Sequence, residues 1–371
     1  MTDKSLLDLS RITKQFPGVI ANDDVTFSIL PGELHALFGE NGAGKSTLVK
    51  IIYGVLHPDV GAMQFDGKPY APAKPSEARA MGIGMVFQHF SLFEALTVAE
   101  NVALGMNKEA VGSNLDEQII EVSKAYGLTL DPARYIGSLS VGERQRVEII
   151  RCLLQKPRLL IMDEPTSVLT PQEVEILFQT LRQLSSEGCS ILYISHKLEE
   201  IRELCEKATV LRGGKVVATC DPREETAKSL AEMMIGTSFK FAERQVHELG
   251  KDRLVVNNLT SVSHDPFGVD ICDVSFRVRS GEIFGIGGVA GNGQVELMET
   301  LIGEITTVAD SICLDGEAIG TMGPTARRER GMCSVPEERL GHGAVSDMSL
   351  WENTILSART RKSMEKRGFL D

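Results

Sequence analysis

A glycine-rich stretch at residues 39–47 has the residue types and spacing that bind phosphate. Its sequence, GENGAGKST, fits the pattern G-x-x-x-x-G-K-[ST]. In this pattern the glycines let backbone N–H groups turn towards phosphate oxygens, the lysine reaches the β- and γ-phosphates, and the next hydroxyl holds Mg²⁺. We therefore expect a nucleoside triphosphate to be bound by Gly39, Asn41, Gly42, Ala43, Gly44, Lys45, Ser46 and Thr47, with Ser46 also a metal ligand.

The segments on either side of this loop supply the context that the pattern needs. Residues 34–38 predict a buried strand, and residues 48–53 predict the start of a helix. The positive end of that helix would lie behind the phosphate. A glycine-rich turn without a ligand is the alternative, and the strand–loop–helix order argues against it.

Two adjacent carboxylates follow a second apolar strand. Residues 159–162 are all apolar, and Asp163 and Glu164 come directly after them. Acids at the end of a buried strand cost free energy unless they have partners. Asp163 is suited to hold Mg²⁺, and Glu164 is suited to polarise a water for attack on the γ-phosphate. The alternative is a strand that simply ends in an acidic turn.

Three further residues are placed to contact the nucleotide. Gln88 and His196 each follow a short apolar strand, and ligands of open α/β sheets bind at the carboxyl ends of strands. Gln88 is therefore a candidate ligand of the metal or of the attacking water, and His196 a candidate contact of the γ-phosphate. Phe16 lies 23 residues before Gly39 and can stack on a base. The alternatives are a solvated loop glutamine, a structural histidine and a core phenylalanine.

A helix start at residues 139–146 offers two interpretations. Its sequence is LSVGERQR, and the helix is expected to end at Lys156–Pro157. Ser140 and Glu143 form the S-x-x-E pattern of a capping box, which is typical of an ordinary helix start. The functional alternative is a helix N-terminus that binds an anionic phosphate.

Composition bounds the class of protein. The 371 residues predict two or three domains. The 51 acidic and 39 basic residues give a net charge of −12, which argues against a nucleic-acid-binding surface. The seven cysteines are scattered, which predicts reduced thiols in a chain that lies in the reducing cytosol. The sequence predicts no signal peptide and no uncharged apolar membrane span. A function at a membrane would therefore require another chain to span it.

The order of these motifs resembles that of the ATP-binding subunit of an ABC transporter. Over residues 5–235 the family's base-stacking aromatic, Walker A loop, Q-loop glutamine, signature, Walker B strand and switch histidine correspond to Phe16, 39–47, Gln88, 139–143, 159–164 and His196. The resemblance implies an α/β fold class: a P-loop NTPase domain with a parallel-sheet core, an antiparallel β subdomain and a helical subdomain.

Roles for the matched residues follow from the same resemblance. It implies that Glu164, His196 and Gln88 are catalytic, that Ser46, Gln88 and Asp163 hold Mg²⁺, and that ATP binds between two such domains arranged head to tail. The signature residues Ser140, Val141, Gly142 and Glu143 would face the nucleotide of the opposite domain. The loop after Gln88 would dock a membrane subunit.

Two positions depart from the family pattern. The usual signature is L-S-G-G-Q, whereas this chain has L-S-V-G-E. A carboxylate at Glu143 would repel a γ-phosphate, and Val141 restricts the approach of the backbone. In the D-loop, Thr170 stands where aspartate is usual.

The sequence repeats itself after a charged stretch. Residues 273–276, Gly288, Gly291 and Gly293 match residues of the first copy at a constant offset of 249 positions. We predict a first domain at 1–240, a linker at 241–252 and a second, degenerate and C-terminally incomplete domain at 253–371.

The second copy has lost the phosphate-binding chemistry. Gln294 replaces Lys45, Val295 replaces Ser46 and Glu337 replaces Gln88. Residue 371 corresponds to about residue 119 of the first copy, so the second signature, Walker B strand and switch histidine are missing. Either the chain is a shortened product or it works with a partial second domain. In both cases we expect weak hydrolysis by the isolated chain.

Tandem domains of this kind resemble bacterial importers of sugars or nucleosides. Residues 86–90 and 336–343 are more similar to the nucleoside branch. The resemblance implies a peripheral ATPase on the cytoplasmic face of the inner membrane, which works with transmembrane permease subunits and an extracytoplasmic substrate-binding protein. It also implies that the ATP-binding domains can dimerise, and it implies no nucleic-acid partner. A tandem ABC protein of ribosomes and an exporter subunit are the rival interpretations.

Overall fold

The computed structural model describes residues 4–88, 90–106, 114–238, 248–263, 268–289, 291–336, 343–358, 364–366 and 369–370. The chain divides into two compact units, Met1–Phe241 (unit 1) and Ala242–Asp371 (unit 2). Among the described residues no helix is long and apolar enough to cross a membrane. Several positions used above lie outside the described ranges: most of the linker at 241–252, His89, and residues 337–342 with Glu337.

The strands of unit 1 form two sheets. They are β1 (Leu7–Phe16), β2 (Val19–Ile29), β3 (Leu34–Phe38), β4 (Val60–Phe65), β5 (Lys68–Tyr70), β6 (Ile83–Val86), β7 (Leu159–Asp163), β8 (Ser190–Ile194), β9 (Lys207–Arg212) and β10 (Lys215–Cys220). One sheet has the order β10-β9-β3-β8-β7-β6, in which all neighbours are parallel except β9 and β10. The other is antiparallel in the order β2-β1-β4-β5.

The helices of unit 1 cover the sheets and fill the segment between β6 and β7. They are α1 (Lys45–Ile52), α2 (Pro75–Ala80), α3 (Val98–Gly105), α4 (Leu115–Ala125), α5 (Val141–Leu153), α6 (Pro171–Ser186), α7 (Leu198–Leu204) and α8 (Ala227–Ile235). The predicted capping box of Ser140 and Glu143 is present at the start of α5.

The core of unit 1 lies on both faces of the mixed sheet. All five residues of β3, β7 and β8 are buried, as expected for parallel strands covered by helices on each side. His35 on β3 is a polar exception with partners on each side. Its Nδ1 lies 2.7 Å from Glu33 Oε1 and its Nε2 lies 2.8 Å from Thr209 Oγ1 on β9. The buried imidazole is therefore satisfied, and it fixes β3 against β9.

Unit 2 contains a four-stranded antiparallel sheet in the order β12-β11-β13-β14. Its elements are β11 (Asp252–Ser261), β12 (Ile271–Arg279), α9 (Gln294–Ile302), β13 (Ile312–Leu314), β14 (Glu317–Ala318), α10 (Pro324–Glu329) and α11 (Leu350–Ala358), followed by a short pair, β15 (Glu365–Lys366) and β16 (Phe369–Leu370). The order matches that of β2-β1-β4-β5 in unit 1, as the internal repeat predicts.

The counterpart of β3 in unit 2 has no regular structure. Residues 282–289 form no strand, and the side chains of Ile283, Phe284 and Ile286 are exposed. In unit 1 the equivalent residues are buried because β3 pairs with β8 and β9. The described part of unit 2 provides no parallel strand to pair with them.

We expect Thr209→Val to destabilise unit 1 by about 1–3 kcal/mol, because it leaves His35 Nε2 buried without its hydroxyl partner. Thr219→Val is the matched control, since Thr219 lies opposite Thr209 on β10 and is exposed. The free energy of unfolding in urea would measure both. Equal losses for the two variants would contradict this role of Thr209.

Candidate functional site

The glycine-rich loop connects the carboxyl end of β3 to the start of α1. Gly42 and Gly44 have left-handed backbones, with φ of +83° and +100°, and Gly44 is the N-cap residue of α1. Glycine adopts this conformation at little steric cost. The first turn of α1 therefore directs its N–H groups, which a helix leaves without intrahelical partners, over the loop.

The loop is also packed too closely for side chains at two of its glycines. A Cβ atom at Gly39 would lie 2.1 Å from the carbonyl oxygen of Leu211 on β9, and one at Gly44 would lie 2.1 Å from the carbonyl oxygen of Ala21 on β2. The loop is thus held between the two sheets of unit 1. Its shape depends on tertiary neighbours as well as on its own glycines.

Asn22 supports the loop and was not found by the sequence patterns. It is fully buried on β2, and its Nδ2 donates a hydrogen bond of 3.1 Å to the carbonyl oxygen of Gly44. Its Oδ1 is buried without a hydrogen-bond partner among the described residues. No motif signals this residue, because it lies on a strand that precedes the loop by some twenty positions.

Lys45 lies over the loop with its ammonium next to the acidic pair. Its Nζ donates to the carbonyl oxygens of Gly39, at 2.7 Å, and Glu40, at 3.0 Å. Burial lowers the pKa of Lys45, while the carboxylates of Glu164 and Asp163 act in the opposite direction. The predicted lysine and the two predicted acids are therefore neighbours in space.

Glu164 and His196 form a direct pair at the same edge of the sheet. The His196 Nδ1 lies 2.9 Å from Glu164 Oε1. Glu164 has a left-handed backbone with φ of +49°, which costs a residue with a side chain about 1–3 kcal/mol, and its N–H donates to the carbonyl oxygen of Ile194 at 2.9 Å. Neighbouring parallel strands β7 and β8 thus place this pair just after they end.

The remaining predicted residues lie on the same unit. Gln88 is exposed two residues after β6 ends, on the edge shared with Glu164. Ser46 and Asn41 are exposed, and Thr47 is half-buried in the first turn of α1. Phe16 ends β1 half-buried, with Lys14 Nζ 5.7 Å from its ring centroid, so it is not a core residue.

The start of α5 places Glu143 differently from the sequence expectation. Glu143 Oε2 accepts the Ser140 N–H at 2.8 Å, and Glu143 Oε1 accepts from Arg134 Nη1 at 2.6 Å. Burial raises the pKa of Glu143, but the hydrogen bonds from Ser140 and Arg134 outweigh it and hold the pKa below its usual value. The acid is turned back on its own helix start and paired with a cation, so the expected repulsion of a phosphate is reduced.

Gly142 and Thr170 connect α5 to the start of α6. A Cβ atom at Gly142 would lie 1.9 Å from Glu173 Oε1, and Arg146 Nη2 lies 3.4 Å from the same oxygen. Thr170 is the N-cap of α6 and forms a capping box with Glu173. The threonine in place of aspartate therefore has a clear local role in starting α6.

Comparison with known proteins identifies the family. Residues 22–167 match the family model described as ABC transporter. The nucleoside import ATP-binding protein NupA of Lactococcus lactis subsp. cremoris is 40% identical over 376 residues, which cover 100% of this chain and 74% of that protein. The ribose import ATP-binding protein RbsA 1 of Rubrobacter xylanophilus is 40% identical over 364 residues, which cover 96% of this chain and 71% of that protein. The chain belongs to the ABC transporter family.

A solved structure agrees with this assignment. The dimeric post-hydrolysis state of the ATP-binding cassette MJ0796, bound to ADP and Pi, has a TM-score of 0.53 and 27% identity, and it covers 59% of this chain and 100% of that chain. The predicted α/β P-loop fold class and the prediction of an ABC-type ATPase are confirmed. Unit 1 is accordingly an ABC cassette, which we call the first cassette.

Unit 2 keeps the form of the Walker A loop without its cation. Gln294 Nε2 donates to the carbonyl oxygen of Val289 at 3.0 Å, and its Oε1 accepts the Asn292 N–H at 3.1 Å. Val289 is the counterpart of Glu40, so Gln294 makes one of the loop contacts that Lys45 makes in the first cassette. The glutamine thus preserves the loop but provides no charge for a phosphate.

The first cassette provides suitable donors for Mg²⁺. The Ser46 hydroxyl, the Gln88 amide oxygen and the Asp163 carboxylate are all hard oxygen donors of the kind that Mg²⁺ prefers. No group of three or more His, Cys, Asp and Glu residues that could hold a metal occurs in the described ranges. A metal at this ABC site therefore depends on the hydroxyl and amide donors together with the triphosphate.

We expect Gly44→Ala to lower affinity for a fluorescent ATP analogue at least tenfold more than Gly42→Ala does. Both residues have positive φ, but an added Cβ at Gly42 meets nothing within 4 Å, whereas at Gly44 it meets the Ala21 carbonyl. Equilibrium titration of the two variants would measure the difference. Equal affinities would show that packing against β2 does not shape the loop.

Proposed function

We propose that this chain is the ATP-binding and ATP-hydrolysing subunit of an importer, with a nucleoside favoured over a simple sugar as the transported substrate. The observation that carries hydrolysis is the convergence of Lys45, Asp163, Glu164 and His196 at one edge of the mixed sheet. Import is supported by the relatives, since NupA is named a nucleoside importer and RbsA 1 a ribose importer.

Different residues of the first cassette have different roles in phosphoryl transfer. The Lys45 ammonium, bound to the carbonyl oxygens of Gly39 and Glu40, is placed to exchange them for phosphate oxygens. Glu164 is placed to accept a hydrogen bond from the attacking water, and His196 orients the carboxylate through Oε1. Mg²⁺, when bound, neutralises the charge of the transferring phosphoryl group, and Ser46, Gln88 and Asp163 would hold it.

The burial of the Lys45 ammonium favours the triphosphate-bound state of the site over the free state. The Lys45 ammonium is withdrawn from water, with only 6% of the residue exposed, and burial lowers its pKa. A phosphate oxygen beside it supplies negative charge in a site of low dielectric constant, where ionic interactions are strong. Binding thus relieves a desolvation cost that the free protein bears.

A groove next to the Q-loop segment supports a membrane partner. Its volume is 340 Å³, and its lining includes Phe87, Phe93, Leu104, Arg79 and Arg151. Phe93 and Leu104 are 62% and 61% exposed, which is unusual for large apolar side chains. We assign this groove to a cytoplasmic segment of a permease, which places the chain peripherally at the cytoplasmic face of the membrane.

The groove is connected to the signature helix. Glu148 on α5 is fully buried, forms an ion pair with Arg151 and accepts the Ser91 N–H at 2.9 Å. Arg151 Nη1 in turn donates to the Ser91 carbonyl oxygen at 3.2 Å. Movement of the docked permease segment would therefore move α5, and with it Ser140, the N-cap of the signature helix.

Two further partners complete the proposal. An extracytoplasmic substrate-binding protein would deliver the transported molecule to the permease. A second cassette would close on the first across the nucleotide, as the dimeric form of MJ0796 suggests for this chain. No basic surface for nucleic acid is expected at a net charge of −12.

We expect Phe93→Ala and Leu104→Ala each to weaken co-purification with the permease about tenfold while leaving ATP-analogue affinity unchanged. Truncation at a buried interface anchor typically costs 1 kcal/mol or more. Val60→Ala is the control, because Val60 is equally exposed, at 62%, but lies on β4 outside the groove. Equal retention of all three variants would contradict the groove assignment, and ribosomes in place of a permease would overturn the importer proposal.

We expect Glu164→Gln to retain ATP binding and to lose at least 99% of turnover in the assembled transporter, since an amide cannot act as a base towards water. Glu121→Gln, an exposed change on α4, is the control. Phosphate release and analogue binding would be measured side by side. Unchanged turnover would remove Glu164 from the catalytic role.

A further inference from the structure

Four hydrogen-bond donors converge on one carboxylate that no motif includes. Glu200 lies in α7. The Thr166 hydroxyl lies 2.8 and 2.7 Å from its two oxygens, and the Tyr193 hydroxyl lies 2.7 Å from Oε2. The Ser195 hydroxyl lies 3.2 Å from Oε2, and Lys197 Nζ lies 3.0 Å from Oε1. Only 12% of the Glu200 side chain is exposed, so these donors replace water around it.

The donors come from both sides of the hydrolytic pair. Thr166 is two residues after Glu164, while Ser195 and Lys197 are the immediate neighbours of His196. The segments that carry them are also joined to each other. Ser195 Oγ accepts the Lys197 N–H at 3.0 Å, and Lys197 Nζ donates to the Thr166 carbonyl oxygen at 3.0 Å. Glu200 is therefore the common acceptor of the segments that bear Glu164 and His196.

We propose that Glu200 is a positioning residue that holds His196 against Glu164 during ATP hydrolysis, an inference that rests on the hydrolytic function proposed above. The His196 side chain is 52% exposed, so packing alone constrains the ring little. The backbone on each side of it is tied to Glu200 directly or through one hydrogen bond. Glu200 thus holds the two segments whose positions determine the 2.9 Å contact between His196 and Glu164.

The chemistry of the cluster requires a carboxylate. An ionised carboxylate only accepts hydrogen bonds, and here it receives three hydroxyl groups and an ammonium. Glutamine has the same shape but presents an NH₂ donor on one side. At least one hydroxyl or the Lys197 ammonium would then face another donor, and hydrogen bonds to charged groups are the stronger ones.

Glu200→Gln tests this role in the full chain assembled with its permease. We expect kcat for ATP hydrolysis to fall about tenfold, with KM for ATP and the affinity for a fluorescent ATP analogue changed less than twofold. Glu199→Gln is the matched control, because Glu199 is the adjacent residue of α7, is 77% exposed and pairs only locally with Arg202 among the contacts described. It should leave kcat within twofold.

A double-mutant cycle separates positioning from simple destabilisation. In a His196→Ala background, Glu200→Gln should lower kcat by less than twofold further, because the residue it positions is already absent. Should Glu200→Gln fail to fold, Ser195→Ala removes one arm of the cluster and is expected to lower kcat about threefold at constant KM.

Several results would overturn the proposal. They are equal kcat for Glu200→Gln and Glu199→Gln, an undiminished effect of Glu200→Gln in the His196→Ala background, a loss of analogue binding that parallels the loss of kcat, and no effect of Ser195→Ala. Absence of hydrolysis by the wild-type assembly is a distinct result, since it would contradict the proposed function itself.

Discussion

The burial of the Lys45 ammonium is the constraint on which the arrangement of the nucleotide site in the first cassette depends. It is buried, so it needs acceptors, and it finds them in two carbonyl oxygens of its own loop. The carboxylates of Glu164 and Asp163 are near enough to favour its charged form. Those acids can lie near it only because the parallel strands β3 and β7, which have β8 between them, end at the same edge of the sheet. The positions of the loop, the strands and the acidic pair thus depend on one another. His196 belongs to the same arrangement because it contacts Glu164.

The corresponding loop of unit 2 shows that the shape of this loop and its chemistry can be separated. Gln294 closes its loop on the Val289 carbonyl as Lys45 does on that of Glu40, and Gly291 and Gly293 keep their left-handed backbones. A neutral amide is sufficient for that contact. What it lacks is the positive charge that would attract a triphosphate, so the substitution removes electrostatic binding while retaining the local fold.

The start of α5 illustrates how a local rule can change a functional expectation. Taken alone, an acid in the family signature should repel phosphate. In the fold its carboxylate is held by the Ser140 N–H and by Arg134, which lies nine residues earlier in the chain. The capping interpretation and the functional interpretation are therefore compatible, because the charge of Glu143 is balanced by Arg134 and by the Ser140 N–H.

The sequence by itself pointed to the phosphate loop, the acidic pair and the capping box at Ser140, because each depends on residue types at short, fixed spacing. It pointed to the internal repeat through a constant offset of 249 positions, and to His196 through the apolar strand before it and the order of the motifs. It could not locate Asn22, Arg134 or Glu200, whose partners are distant in sequence or belong to no recurring pattern. Nor could spacing determine that Phe16 lies half-buried at the end of a strand, or that Arg134 neutralises Glu143. Only the tertiary structure decided these, since parallel strands bring remote residues to one edge and the hydrogen bonds there are set by packing in three dimensions.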